Sequence, residues 1–290
     1  MNEVYSLCAS QPADRELIFV DVRSPESFAQ GSISGAVNMH DIFTYLLPTS
    51  SSADMAAMRA HFGDLLRQNN IRCAPTEHVI VFEDGLTKLY GSSCRGYMVL
   101  KQMGHPAVSV LEGGYSAFME LSESARELVS AQRFAGEKAN QSTDAAAEGG
   151  TDWMVGRDRV LEVVRGERQA HLLDVRDEDE WRGLSSSPYG KDFCPRKGRI
   201  PGAKWLEWYR FMSDDGQVLP QAQVEALMAA QGIAKDDEVI IYCFKGARAS
   251  NTLMVLKESG FDKVTNYFAS WNEWSRDEEL PVDDTVKSVN

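Results

Sequence analysis

The chain has 290 residues, of which 43% are hydrophobic and 25% are charged. This composition is typical of folded globular proteins and excludes a disordered chain, a collagen and a disulfide miniprotein. The longest apolar runs are far shorter than the about 20 residues that span a bilayer, so we expect no membrane segment. The formal net charge of −13 argues against non-specific binding to nucleic acid or to an anionic membrane surface.

The cysteines give no sign of a metal site. There are five, an odd number, and no two form a Cys-x-x-Cys pair, so neither a disulfide framework nor a zinc site is indicated. We predict no metal and no organic cofactor. The first residues include neither the basic segment nor the apolar segment of a secretory signal, and we expect a reducing cytoplasm as the location.

The chain contains an internal repeat, in which five blocks of the first half return in the same order in the second half. The two clearest blocks are Asp-Val-Arg at residues 21–23 and 174–176, and Gly-x-Ile-x-Gly-Ala at residues 31–36 and 198–203. In each copy short β-branched runs alternate with amphipathic stretches, which predicts α/β domains with a mainly parallel sheet flanked by helices.

A stretch rich in Ala, Gly, Ser, Gln and Glu, without an apolar period, separates the two copies. Such a composition is typical of a flexible linker. We therefore predict a first domain over residues 1–122, a linker over residues 123–150 and a second domain over residues 151–290.

In the first copy an acidic residue follows the central strand. Aligning Val79–Phe82 with Val239–Tyr242 of the second copy places Glu83 at the position of Cys243. A carboxylate cannot act as a thiol nucleophile and repels anions. We predict that the first domain is catalytically silent and that its Cys94, on the following helix, is a packing residue.

In the second copy a cysteine follows the corresponding strand. Val239–Tyr242 shows no polar alternation, and Cys243 leads into a glycine-containing turn and a helix that we expect to start near Arg248. Ligands of open α/β sheets bind at the carboxyl ends of strands, where the amides of such a turn can hold an anion. With Lys245 and Arg248 nearby, this field favours a thiolate. We predict that Cys243 is a nucleophile within an anion-binding loop.

Outside the linker, the chain resembles the two-domain rhodanese-like sulfurtransferases. The resemblance rests on the two Asp-Val-Arg motifs, the two Gly-x-Ile-x-Gly-Ala blocks and the six-residue loop that starts at Cys243. It implies two tandem rhodanese-like domains and a cysteine that accepts a sulfane sulfur as a persulfide and passes it to cyanide or a thiol. The loop residues that would then bind the small anionic sulfur donor are Phe244, Lys245, Gly246, Ala247 and Arg248.

The length and the sequence of this loop also indicate the type of reaction and the sulfur donor. Its Cys-x4-Arg spacing is one residue shorter than the Cys-x5-Arg of the related phosphatases, which argues against phosphatase activity. Proteins that resemble thiosulfate sulfurtransferase carry Cys-Arg-Lys-Gly here, and those that resemble mercaptopyruvate sulfurtransferase carry Cys-Gly-Ser-Gly. Because this chain has Cys-Phe-Lys-Gly, Lys245 favours thiosulfate, with mercaptopyruvate as the alternative. A persulfide carrier without efficient turnover needs the same loop and is a further hypothesis.

Two positions depart from the family pattern. Arg248 replaces a threonine at the end of the loop, and we expect it to point partly to solvent. Glu180 stands where many two-domain members have a substrate-binding arginine, so we assign no binding role to it. Arg182, two residues later, is the candidate that could take over this role.

The second copy also has an insertion at residues 184–197, which ends near the basic residues Arg196, Lys197 and Arg199. We interpret it as a solvated loop, with a role in lining the cleft or binding an acceptor as the alternative. The Asp-Val-Arg motif occurs in the silent copy too, so we interpret its Asp and Arg as a structural ion pair.

Overall fold

The computed structural model describes residues 16–88, 90–131 and 153–285. These residues form two compact units, each built around one parallel sheet. The division follows the repeat with one exception, since Leu46–Ala56 comes from the first copy and belongs to the second unit. Cys8 and residues 132–150 of the predicted linker lie outside the described residues.

The first unit has a four-stranded sheet in the order β2-β1-β3-β4. Its elements are β1 (Glu16–Asp21), α1 (Pro25–Gln30), β2 (Val37–Asn38), α2 (Asp41–Thr44), α3 (Ser52–Gln68), β3 (Glu77–Phe82), α4 (Ser92–Gln102), β4 (Val108–Val110), α5 (Gly114–Met119) and α6 (Glu123–Ala131). The first residues of α3 fall within Leu46–Ala56 and thus in the second unit. Every residue of β3 is buried, as a central strand covered on both faces requires.

The second unit has a five-stranded sheet in the order β5-β9-β8-β6-β7. Its elements are β5 (Met154–Val155), α7 (Arg157–Val164), β6 (His171–Asp174), α8 (Glu178–Trp181), β7 (Lys204–Trp205), a 3₁₀ turn (Trp208–Phe211), α9 (Gln221–Ala230), β8 (Val239–Tyr242), α10 (Ala247–Glu258), β9 (Val264–Tyr267) and α11 (Ser270–Trp274). The central strand β8 is again buried throughout. The predicted fold class, two parallel α/β domains, is confirmed.

The two sheets have the same register around their central strands. Asp21 at the end of β1 lies opposite Phe82, and Asp174 at the end of β6 lies opposite Tyr242. The residue after each central strand is therefore equivalent in the two copies, which places Glu83 at the position of Cys243. The alignment made from the sequence is correct at this point.

The Asp-Val-Arg motifs form buried ion pairs, as predicted. Arg23 Nη2 lies 2.7 Å from Asp21 Oδ2, and Arg176 Nη2 lies 2.6 Å from Asp174 Oδ2. The same two guanidinium groups donate to the carbonyl oxygens of Gly31 and Gly198, which open the Gly-x-Ile-x-Gly-Ala blocks. The Asp-Val-Arg motif and the Gly-x-Ile-x-Gly-Ala block thus act together in each copy. They connect the end of one strand to the turn that leads to the neighbouring strand.

The predicted linker is wrong at its start, because residues 123–131 form helix α6 rather than a flexible segment. Ser122 provides the start signal, since its hydroxyl accepts the N–H of Ala125 and its carbonyl accepts that of Arg126. A serine that caps the first turn outweighs a polar composition over this short stretch. Within the described parts of the chain, no helix has the length and apolar character needed to cross a membrane.

Candidate functional site

The loop after β8 has the strand–turn–helix geometry expected from the sequence. Cys243 is the first residue after the strand, and α10 begins at Ala247, one residue before the expected start. Gly246 joins them with φ = +88°, and a Cβ on it would lie 2.6 Å from the ring of Phe268. Both the backbone angle and the close approach require glycine here.

The thiol of Cys243 is enclosed by this turn. Its side chain is 1% exposed, and Sγ accepts the N–H of Gly246 at 3.1 Å. The N-terminus of α10 also points its positive dipole end toward this part of the loop. A backbone donor and a helix N-terminus are the features that stabilise a thiolate or a persulfide anion.

The backbone of the loop is held by α11, which the sequence analysis did not single out. The N–H groups of Trp271 and Asn272 donate to the carbonyls of Cys243 and Phe244 at 3.1 and 3.0 Å. The Cys243 N–H donates in turn to the hydroxyl of Ser270, whose φ of +55° is unusual for a residue other than glycine. The signal was present in the sequence, since residues 269–274 are the last of the five repeated blocks and correspond to residues 113–118 of the first copy.

Arg248 is buried against carboxylates, and the expectation that it points partly to solvent is wrong. Its side chain is 2% exposed and donates to Glu180 at 2.5 and 3.1 Å, with Asp177 at 2.9 Å. Burial alone would lower the pKa of Arg248, but the charges of Glu180, Cys243 and Asp177 hold this pKa well above its usual value. The second position of α10 points toward the acidic helix α8, which explains this orientation.

Lys245 is also covered. It is 8% exposed, and its Nζ lies 5.0 Å from the centre of the Tyr189 ring, a cation–π distance. Tyr189 belongs to the insertion at residues 184–197. The interpretation of Lys245 as a donor-binding residue stays a prediction, but the lysine is not a solvated surface charge.

The insertion packs on the cysteine loop, so its interpretation as a solvated loop is wrong. The rings of Tyr189 and Phe193 lie 5.4 and 5.7 Å from that of Phe244, while both remain about half-exposed. Arg196 donates to the carbonyls of Ser275 and Leu280 at 2.9 and 2.7 Å. Aromatic contacts with Phe244 and carbonyl acceptors thus anchor a segment whose composition suggested a surface loop.

The sequence of the chain matches a known protein family. The family model described as "Rhodanese-like domain" matches residues 2–121 and 159–277. The chain belongs to the rhodanese-like family. It is 28% identical over 283 residues to a Haloferax volcanii protein named "Putative thiosulfate sulfurtransferase", covering 95% of this chain and 90% of that relative.

Two further comparisons add detail. A Thermus thermophilus protein named "Sulfur carrier protein TtuD" is 37% identical over 131 residues, which are 43% of this chain and 46% of that relative. A solved structure titled "Crystal Structure of Probable Thiosulfate Sulfurtransferase" aligns with a TM-score of 0.65 and 27% identity, covering 94% of this chain and 98% of that one. The wild-type structure of EanB, at 20% identity and a TM-score of 0.75, covers 98% of this chain and 68% of its own, and shows the shared fold.

The first rhodanese-like domain fills its equivalent loop with a carboxylate. Glu83 is buried, and its Oε1 accepts both the N–H and the hydroxyl of Ser93 at 2.9 and 2.6 Å. The glycine that precedes the next helix, Gly91, also has a positive φ, but it lies eight residues after Glu83, whereas Gly246 lies three residues after Cys243. In the first domain the N-terminus of α4 therefore binds the carboxylate of Glu83. In the second domain the equivalent N-terminus, that of α10, faces the loop of Cys243.

Two other predicted residues have contacts away from the loop. Arg182 is 36% exposed and forms an i,i+4 ion pair with Glu178 on the surface of α8. Cys94 is fully buried on α4, in agreement with its interpretation as a packing residue. Within the described residues, the ion pair of Arg182 is with α8 and not with the cysteine loop.

A group of carboxylates on α8 could in principle hold a cation. Asp177, Asp179 and Glu180 bring one oxygen each within 4.8 Å of one another. Arg248 already lies against two of these side chains and supplies their countercharge. We therefore assign no metal to this cluster.

Proposed function

We propose that this rhodanese-like protein is a sulfurtransferase that moves a sulfane sulfur from thiosulfate to cyanide or a thiol through a persulfide on Cys243. The observation that carries the proposal is the buried Sγ of Cys243, which accepts the Gly246 N–H beside the start of a twelve-residue helix. The first domain, with Glu83 in the same position, is proposed to be non-catalytic.

The proposed reaction has two balanced steps. The thiolate of Cys243 attacks the outer sulfur of thiosulfate, a new S–S bond forms, and sulfite leaves with the electron pair of the bond that breaks. Cyanide then attacks the terminal sulfur of the persulfide, which releases thiocyanate and restores the thiolate. The Gly246 N–H stabilises the negative Sγ in the resting thiolate and again as the thiolate leaves in the second step.

Lys245 is proposed as the loop cation that receives the thiosulfate dianion, supported by its position two residues after Cys243. Arg248 is proposed to shape the loop rather than to hold the donor, because its guanidinium is engaged by Glu180 and Asp177. The name of the Haloferax volcanii relative supports the same choice of donor.

The test is a thiocyanate-formation assay with thiosulfate and mercaptopyruvate offered separately. We expect turnover with thiosulfate in the intact protein and its complete loss in Cys243→Ser. Cys94→Ser, a change of similar size at a buried cysteine of the silent domain, serves as the control and should retain turnover. Turnover that survives in Cys243→Ser would contradict the mechanism, and turnover with mercaptopyruvate alone would reassign the donor.

A second function, persulfide carrier, is favoured by the similarity to a protein named as a sulfur carrier. In a carrier, Cys243 would accept sulfur from another protein and show little turnover of small donors. Mass spectrometry separates the two functions. A Cys243 persulfide that forms with a protein donor but not with thiosulfate identifies the carrier.

A further inference from the structure

We infer that Leu46–Ala56, a segment from the first copy of the repeat, is a strap that positions the Cys243 loop through helix α11. The inference deepens the proposed function, since it rests on Cys243 as the reacting residue. It assigns a positioning role to Ser50 and Glu273, which act on the loop through α11.

The strap is hydrogen-bonded at its middle to the rest of the second unit. The N–H of Ser50 donates to Glu273 Oε1 at 2.8 Å, and the Ser50 hydroxyl accepts the N–H of Arg157 at 2.7 Å. Asn272 makes a longer contact, 3.5 Å, from its side-chain amide to the carbonyl of Leu47. Two consecutive residues of α11 are thereby joined to this segment.

The same short helix also holds the cysteine loop. Trp271 and Asn272 donate their N–H groups to the carbonyls of Cys243 and Phe244. The second oxygen of the buried Glu273 accepts the hydroxyl of Tyr267 at 2.8 Å, which fixes the helix to the end of β9. The position of α11, and with it the loop carbonyls, therefore depends on a carboxylate shared between the strap and the sheet.

The first copy of the repeat provides an internal comparison. There Tyr115 and Ser116 make the equivalent two bonds to the carbonyls of Glu83 and Asp84. The next residue is Ala117, which occupies the place of Glu273 and has no acceptor. The carboxylate anchor thus occurs in the copy that carries the cysteine and is missing from the described residues of the equivalent helix in the silent copy.

A carboxylate is suited to this position because it meets two donors at once. In Glu273→Gln the side chain keeps its size but loses its charge, so the bond from the Ser50 N–H is no longer charge-assisted, and the amide nitrogen can meet the Tyr267 hydroxyl only if that hydroxyl turns to accept. A loop whose backbone shifts by a fraction of an ångström loses the alignment of its sulfur with the donor. Such a loss reduces kcat more than it raises KM.

The experiment uses the full chain and the variants Glu273→Gln and Ser50→Ala. We expect Glu273→Gln to lower kcat with thiosulfate and cyanide about 3- to 10-fold, the difference between a charge-assisted and a neutral hydrogen bond, with KM nearly unchanged. We also expect it to change the rate at which iodoacetamide alkylates Cys243, followed by mass spectrometry of its peptide. Ser50→Ala keeps the N–H donor and loses the Arg157 contact, so it should act in the same direction with a smaller effect.

Glu77→Gln is the matched control, because Glu77 is an equally buried carboxylate that accepts several donors in the first unit. It should lower the Tm without changing kcat or the Cys243 alkylation rate. Glu273→Gln, like Glu77→Gln, could lower the Tm and leave kcat and the alkylation rate of Cys243 unchanged. In that case the strap is only structural and the inference is overturned. If the protein does not turn over thiosulfate at all, the alkylation rates still decide, so failure of the proposed function is distinguishable.

Discussion

Arg248 and Glu180 lie 68 positions apart in the chain and form a buried ion pair through two hydrogen bonds. In the sequence they are two separate departures from the family pattern, an arginine for a threonine and a glutamate for an arginine. The structure shows that they belong together, since each supplies the charge that the other needs when it is buried. Arg248 therefore stays charged, but the carboxylates beside it balance its charge, so it does not add a full positive charge to the loop.

The first prediction concerns this pair. Arg248→Thr leaves the 1%-exposed Glu180 without its partner, and breaking a buried pair in this way costs about 3–5 kcal/mol. We expect a loss of this size in the free energy of unfolding, measured in urea. Adding Glu180→Gln to the variant should recover part of it, because the uncompensated charge is then removed. A loss below about 1 kcal/mol in Arg248→Thr alone would contradict the buried pairing.

The second prediction concerns the donor. If Lys245 binds thiosulfate, Lys245→Ser removes a charge-assisted hydrogen bond and lowers kcat/KM for thiosulfate about 10- to 150-fold. The KM for mercaptopyruvate should rise much less. Arg182→Ser is the control, since Arg182 is a partly exposed cation paired with Glu178, and kcat/KM should stay within about twofold. Unchanged thiosulfate kinetics in Lys245→Ser would remove the main support for thiosulfate as the donor.

The third prediction concerns the turn. In Gly246→Ala a methyl group would lie 2.6 Å from the Phe268 ring and 2.9 Å from its carbonyl oxygen, on a backbone with φ = +88°. We expect a strong loss of sulfur transfer, because the loop must move to relieve the clash. Gly202→Ala separates the two causes, since Gly202 has a similar φ of +78° with nothing within 4 Å of the added methyl. Equal activity in the two variants would show that the close approach to Phe268 has no effect on the loop.

Much of the site could be predicted from local sequence. The run Val239–Tyr242 is short, apolar and unalternating, so it indicates a strand buried on both faces, and a residue that follows such a strand must lie at its carboxyl end. The repeat then supplied an internal alignment in which Glu83 occupies the position equivalent to that of Cys243. Helix α6 shows the limit of this reasoning, because a polar composition at residues 123–131 indicated a linker where a serine cap starts a helix.

The sequence by itself determined the two α/β copies, the position of Cys243 and the acidic replacement in the first copy, because each depends on residues close together in the chain. Only the tertiary structure decided which charges are paired and which segments cover the loop. Glu180 reaches Arg248, residues 184–197 reach Phe244, and Ser50 reaches Glu273 across 223 positions. These contacts leave no periodic pattern, since the free energy of a buried charge or ring depends on the partner that folding brings to it.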